Sequence, residues 1–229
     1  FTVAPICGVY ATTDTTYSTP LTGLQNAGTY VTHCTGGTSP TYWGVPVDGT
    51  LTINKAPTTA TVVCDPTTVV YTGLPQTPCT ASVVGTNLNL TGLTPTYTNN
   101  VNAGTATASY TYPGDTNHLA SPTASATFTI TRAALTITAS SASVTYGTAV
   151  PAVTFTTDWP TTPTLTTNPT CATYATATST TALSGVQPVG SYVTRCAGAV
   201  SGNFTFTYVN GSLTVTQAAL TITDRKSVV

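Results

Sequence analysis

The chain has 229 residues, a mass of 23.3 kDa, a formal net charge of -1 and a pI near 6.0, with charged residues at only 5% and no Glu among its six acidic residues. That charge balance supplies no basic field for phosphates or anionic lipid, so neither a nucleic-acid partner nor membrane insertion is expected. About 60 residues are Thr, and a Thr-, Val- and Tyr-rich chain poor in helix formers predicts an all-β protein.

The strand signals are period-two alternations bounded by turns. In chain order, Ala106, Ala108 and Tyr110 alternate with Thr and Ser after Gly104, and Phe128 and Ile130 alternate with Thr127, Thr129 and Thr131. Phe204 to Tyr208 and Leu213 to Thr216 alternate on either side of Val209-Asn210-Gly211-Ser212, where Asn-Gly predicts a type I′ hairpin turn. Asp48-Gly49 holds the matching place near the N-terminus. The one helix signal, Thr162-Pro163-Thr164-Leu165, predicts at most a single turn.

The sequence also repeats itself. Pro5-Ile6-Cys7 aligns with Pro169-Thr170-Cys171, GTYVTHC at 28 to 34 with GSYVTRC at 190 to 196, and VDGTLTINKA at 47 to 56 with VNGSLTVTQA at 209 to 218. A second kind of unit lies between the copies. ALTIT opens a unit at 134 to 138 and recurs at 219 to 223. The predicted organisation is a truncated repeat at 1-56, a second repeat type at 57-132, a complete repeat at 133-218, and at 219-229 the first strand of a further repeat followed by a non-native tail. The start lacks Met and a basic leader, so a mature segment or a fragment is expected. Without Gly, Ser or Pro linkers between units, tandem sandwiches in a stiff, elongated rod are expected.

Six cysteines fall two to a unit, and matching positions in the first and third units demand matching partners. The expected disulfides are Cys7 to Cys34, Cys64 to Cys79 and Cys171 to Cys196, which imply an extracellular location. No zinc spacing, clustered carboxylates for calcium, nucleophile elbow or internal Lys suited to an isopeptide bond occurs, so no cofactor, no metal and no enzyme activity are expected. His33 and His118 stand in different units, and His118 beside Asp115 reads as part of a polar turn. Leu74-Pro75-Gln76-Thr77-Pro78 reads as a turn and not a sorting signal. Trp43, next to Tyr42, and Trp159 are the candidate ligand-binding aromatics, with core or rim packing as the plainer alternative.

ALTIT at 134 to 138, Val144-Thr145-Tyr146-Gly147, GSYVTRC and NFTFTYVNGSLTVTQA together resemble the YGX-type MBG repeat of large bacterial surface and adhesin-like proteins. The middle unit, with VVYTGLPQTPCTA at 69 to 81 and YPGDTNH at 112 to 118, resembles a related Ig-like repeat. The resemblance implies Ig-like β-sandwiches, or β-grasp-like small sheets for the YGX-type units. It also implies a structural and adhesive stalk on a bacterial surface or in a secreted protein, with a glycan- or host-surface-binding module as the main alternative and a hydrolase as a distant one. Leu220 and Ile222 in the last strand are expected to support head-to-tail self-association.

Overall fold

The computed structural model describes residues 1–223. By internal contacts they form two compact units: Phe1–Thr67 with Thr77–Asn99 and Ala106–Phe128, and Thr68–Gln76 with Asn100–Thr105 and the chain from Thr129 onward. The division runs through the 57 to 132 segment. The protein is all-β, with 17 strands and no helix among the described residues; Thr162 to Leu165, where at most a single turn was expected, is irregular chain.

Residues 1 to 53 form one antiparallel sheet, β1 (Ile6–Ala11), β2 (Gly28–Thr35) and β3 (Gly49–Ile53), in the order β1-β2-β3. Residues 58 to 93 form a second, in which β4 (Thr58–Cys64) pairs with β6 (Cys79–Gly85), and β6 with β7 (Leu88–Leu93) through a bulge between Ala81 and Val83. β5 (Thr68–Val70), β8 (Thr96–Thr98), β9 (Gly104–Tyr110) and β10 (Ala124–Thr131) form a third, ordered β5-β10-β9-β8. The alternation reads directly as burial: Ala106, Ala108, Phe128 and Ile130 are buried, while Thr127 and Thr129 face solvent.

One residue after β10 ends, β11 (Ala133–Ala139) begins; it is followed by β12 (Ala142–Thr145), β13 (Phe155–Thr157), β14 (Thr170–Tyr174), β15 (Gly190–Ala197), β16 (Phe204–Val209) and β17 (Gly211–Thr216). These make two sheets, β13-β11-β16 and β12-β17-β15-β14. β11 and β16 both pack against β15, and Ile137, Ala139 and Cys196 form a core with Phe155, Phe206 and Tyr208 around it. Each fully buried Leu, Ile or Phe here contributes about 1.5–3 kcal/mol of transfer free energy.

The hairpin expected at Asn210-Gly211 does not form. β16 pairs in parallel with β11, whereas β17 pairs with β15 and β12, so the chain crosses between sheets at this point. Gly211 is needed for a different reason: a Cβ there would lie 2.5 Å from Thr194 Oγ1 and 2.6 Å from the carbonyl oxygens of Ala139 and Ser140. The glycine admits close approach of the neighbouring backbone rather than a left-handed turn.

Candidate functional site

Each cysteine pair is a pair of directly opposed residues on adjacent antiparallel strands. Cys7 opposes Cys34 across β1 and β2, Cys64 opposes Cys79 across β4 and β6, and Cys171 opposes Cys196 across β14 and β15. All three are disulfide-bonded, with Cα separations of 3.9, 3.9 and 4.0 Å.

The two tryptophans have opposite surroundings. Trp159 is half-buried: it stacks on Tyr71 with ring centroids 5.9 Å apart and meets the edge of Phe204 at 4.8 Å. Asp158 beside it accepts a hydrogen bond from Thr136 N at 2.8 Å, which holds its carboxyl below the usual carboxylate range. Tyr71, Leu74, Trp159, Pro160, Pro163 and Thr164 line an open cavity of about 380 Å³. One face of the indole is thus committed to packing. Trp43 is 92% exposed and Tyr42 81%. Their segment pairs with no strand, and both rings stand in solvent and not in a core or at its rim.

A cluster in the first unit joins residues that the sequence reading left apart. Asp48 accepts hydrogen bonds from Tyr17 Oη and, at 2.5 Å, from His33 Nδ1. The Tyr17 ring stacks on His33 with centroids 3.8 Å apart, and Tyr10 packs edge-on against both. The hydroxyl of Tyr17 and the imidazole of His33 hold the Asp48 carboxyl below its usual range, and Asp48 raises the Tyr17 phenol. Asp14 shapes the same loop by accepting from Thr16 N, Thr16 Oγ1 and Thr19 N. The arrangement fastens the loop after β1 to β2 and to the residue preceding β3. Its signal lay in the repeat alignment: the positions of His33 and Asp48 are Arg195 and Asn210 in the other copy, two differences that fall on interacting side chains.

His118 is buried and fully engaged. Its Nδ1 lies 2.8 and 2.9 Å from the two oxygens of Asp115, and its Nε2 is 2.8 Å from the carbonyl oxygen of Thr86. Asp115 also accepts from Tyr112 Oη and from the backbone N–H of Asn117 and His118. Acceptors on both ring nitrogens favour the charged imidazolium and raise the His118 pKa, while the converging donors hold Asp115 far below the usual carboxylate range. Lys55 Nζ donates to the carbonyl oxygen of Asp115 at 2.6 Å. This is a satisfied polar staple for the 112 to 118 loop.

The matching hydrogen bonds of the two similar repeats run in parallel. Leu21 N donates to Val9 O and Leu183 N to Thr173 O; Tyr30 Oη donates to Asn26 O and Tyr192 Oη to Pro188 O. Thr38 and Val3 form a bridge where Val200 and Thr167 form another. The sheet β1-β2-β3 therefore has the plan of β14-β15-β17. No curated protein and no solved structure matches the chain. A family model, the MBG domain (YGX type), matches residues 135–214, the span from β11 into β17. That segment, with its two facing sheets and its disulfide across β14 and β15, is thus similar to the MBG domain of the YGX type.

Proposed function

We propose that this chain is a structural segment of an extracellular stalk on a bacterial surface protein. The observation that carries the reading is an MBG domain whose disulfide-stapled three-strand plan is repeated at residues 1 to 53. A duplicated three-strand plan, each copy fastened by its own cross-link, suits a load-carrying repeat in an oxidising compartment. Protease shaving of intact cells that make the protein tests this directly. Peptides of this chain released without lysis support a surface location; peptides appearing only after lysis overturn it.

A second reading rests on Tyr42 and Trp43, two adjacent rings that protrude into solvent. Flat exposed rings are suited to stacking on sugar faces. In that reading the first unit binds a glycan, and Trp43→Ala abolishes glycan-array binding while Trp159→Ala leaves it unchanged. An array without hits favours the stalk alone. Neither reading assigns catalysis, and turnover of an ester or glycoside panel by the purified chain would overturn both.

A further inference from the structure

Two turns of this chain carry the same four residues, Asn26-Ala27-Gly28-Thr29 and Asn102-Ala103-Gly104-Thr105, although they stand in repeats of different kinds. Each turn leads straight into a strand, β2 at Gly28 and β9 at Gly104. Each is met by an asparagine from a distant loop, Asn117 for the first and Asn203 for the second. The side-chain oxygen of that asparagine accepts from the turn's alanine, Ala27 N at 2.8 Å and Ala103 N at 2.9 Å. Its Nδ2 donates to the turn's own asparagine, Asn26 Oδ1 at 2.9 Å and Asn102 Oδ1 at 3.1 Å. Its backbone takes part as well. The carbonyl oxygen accepts from an alanine at the repeat boundary, Ala56 N at 2.8 Å and Ala133 N at 3.0 Å. Two residues upstream, a side-chain oxygen accepts the asparagine's own N–H, Asp115 Oδ1 at 2.7 Å and Ser201 Oγ at 3.1 Å, and so aims the side chain. The next residue is a buried ring, His118 or Phe204, paired in parallel with Ala56 or Ala133.

We propose that the Asn-Ala-Gly turn is a docking surface by which one repeat recognises another, and that its partner is a repeat presenting an Asn-ring loop of the kind read here as Asp-Thr-Asn-His or Ser-Gly-Asn-Phe. In the first joint a turn of the first repeat meets a loop of the middle one; in the second a turn of the middle repeat meets a loop of the last. The four shared hydrogen bonds therefore do not come from a shared repeat type. They form one coupling that serves repeats of either kind. The turn does not need its asparagine in order to form. The last repeat has Pro188 at the position of Asn26, yet Tyr192 Oη donates to Pro188 O as Tyr30 Oη donates to Asn26 O. The Asn26 side chain is thus free for docking. A carboxamide offers a donor and an acceptor together, so one residue reads both the alanine N–H and the facing asparagine. A partner without it leaves the alanine N–H unpaired at the contact. Because neither side of the clasp is charged, salt does not screen it, which suits a chain with 5% charged residues.

Amide hydrogen exchange followed by NMR on the full chain tests this. Asn117→Ala should speed exchange of the Ala27 N–H about tenfold, the worth of one hydrogen bond, and leave Ala103 and the amides of β2 at their wild-type rates. Asn203→Ala should speed Ala103 alone. Asn26→Ala, a change at an exposed side chain, should speed Ala27 less, and adding it to Asn117→Ala should bring no further change, since both remove the same contact. Thr116→Gly with Gly202→Thr exchanges the one loop position that the coupling does not read, and a Cβ at Gly202 meets nothing within 4 Å, so both alanine rates should stay as they are. Unchanged Ala27 and Ala103 rates in the Asn117→Ala and Asn203→Ala variants overturn the proposal. So does an Asn117→Ala variant in which the β2 amides speed up as much as Ala27, which would make the asparagine part of the first repeat's own fold. Additive effects of Asn26→Ala and Asn117→Ala, or altered alanine rates in the Thr116→Gly, Gly202→Thr variant, overturn it as well. None of these outcomes bears on whether the protein is found on a cell surface.

Discussion

The first and last repeats share three strands, a disulfide and a set of matching hydrogen bonds, yet they solve the same packing problem differently. In the MBG domain the β15 face is covered by a second sheet, and Arg195 closes the loop after β14 by donating to the carbonyl oxygens of Ala177, at 2.5 Å, and Ser179 while lying 3.9 Å over the Tyr174 ring. In the first repeat the same loop is held by the Tyr17, His33 and Asp48 cluster, and the sheet face over Cys34 opens into a cavity. The bridged three-strand plan is thus the same in both repeats. Apolar burial is what separates the two cases.

The largest effects should come from the cross-links. Those of the first and last repeats bridge residues 27 and 25 apart, a constraint worth about 3–4 kcal/mol in the loop-entropy model. Replacing Cys171 and Cys196 by Ala should lower the melting temperature of the MBG domain while leaving it folded by its two-sheet core. The same change at Cys7 and Cys34 should unfold the first repeat outright, seen as loss of hydrogen-exchange protection across β1 to β3. Equal loss in both repeats would mean that the second sheet contributes little.

Next come the aliphatic side chains. Leu135→Ala in the buried strand should cost about 2–5 kcal/mol in chemical denaturation. Leu220→Ala, its counterpart in the unpaired copy, should change monomer stability by less than about 0.5 kcal/mol. A smaller difference distinguishes two glycines. A Cβ at Gly211 meets two backbone carbonyls and Thr194 Oγ1, whereas one at Gly49 meets only the Thr32 side chain closer than 3.9 Å. Gly211→Ala should therefore cost about 1–3 kcal/mol and Gly49→Ala clearly less, because a hydroxyl can rotate away and a backbone cannot.

The smallest effect is in pH. Asp48 has a folded pKa below its ordinary value, so its contribution is present above about pH 4 and is lost as pH falls through the folded value. The first repeat carries two lowered carboxylates, Asp14 and Asp48, against Asp158 alone in the MBG domain, so it should lose more stability in acid, and Asp48→Asn should narrow that difference. In the middle repeat Asp115 behaves as Asp48 does. His118, with a raised pKa, contributes fully below about pH 6.5, and that contribution fades as pH rises through its folded value. Exchange protection of the 112 to 118 loop should therefore be greatest in mildly acidic solution.

Alternation made β9, β10 and β17 readable from sequence, since each has one dry and one wet face. Repeat alignment made the cysteine pairs readable, because duplicated positions constrain each other. The crossover at Asn210-Gly211 was not readable: the dipeptide that marks a hairpin also serves where a missing Cβ admits a neighbouring carbonyl, and only the fold distinguishes the two. Trp159 depends on Tyr71 and Phe204, and no local pattern brings those three rings together. Trp43 sits where its repeat partner is strand, and the alignment alone did not report that its own segment is irregular.

The parallel pairing of β11 with β16 and of β12 with β17 has a mechanical consequence. When a chain is pulled by its two ends, the domain's opening strands are drawn backward and its closing strands forward, along the direction in which they lie side by side. Such a load slides neighbouring strands past each other, so the paired positions from Ala133 and Phe204 to Thr138 and Val209 share the force and must yield together instead of opening one at a time. If they do yield, the bond between Cys171 and Cys196 keeps the intervening chain, whose ends are 25 residues apart, out of the extension. At roughly 3.3–3.6 Å per residue that withholds on the order of 80–90 Å of length, a hard stop built into the repeat.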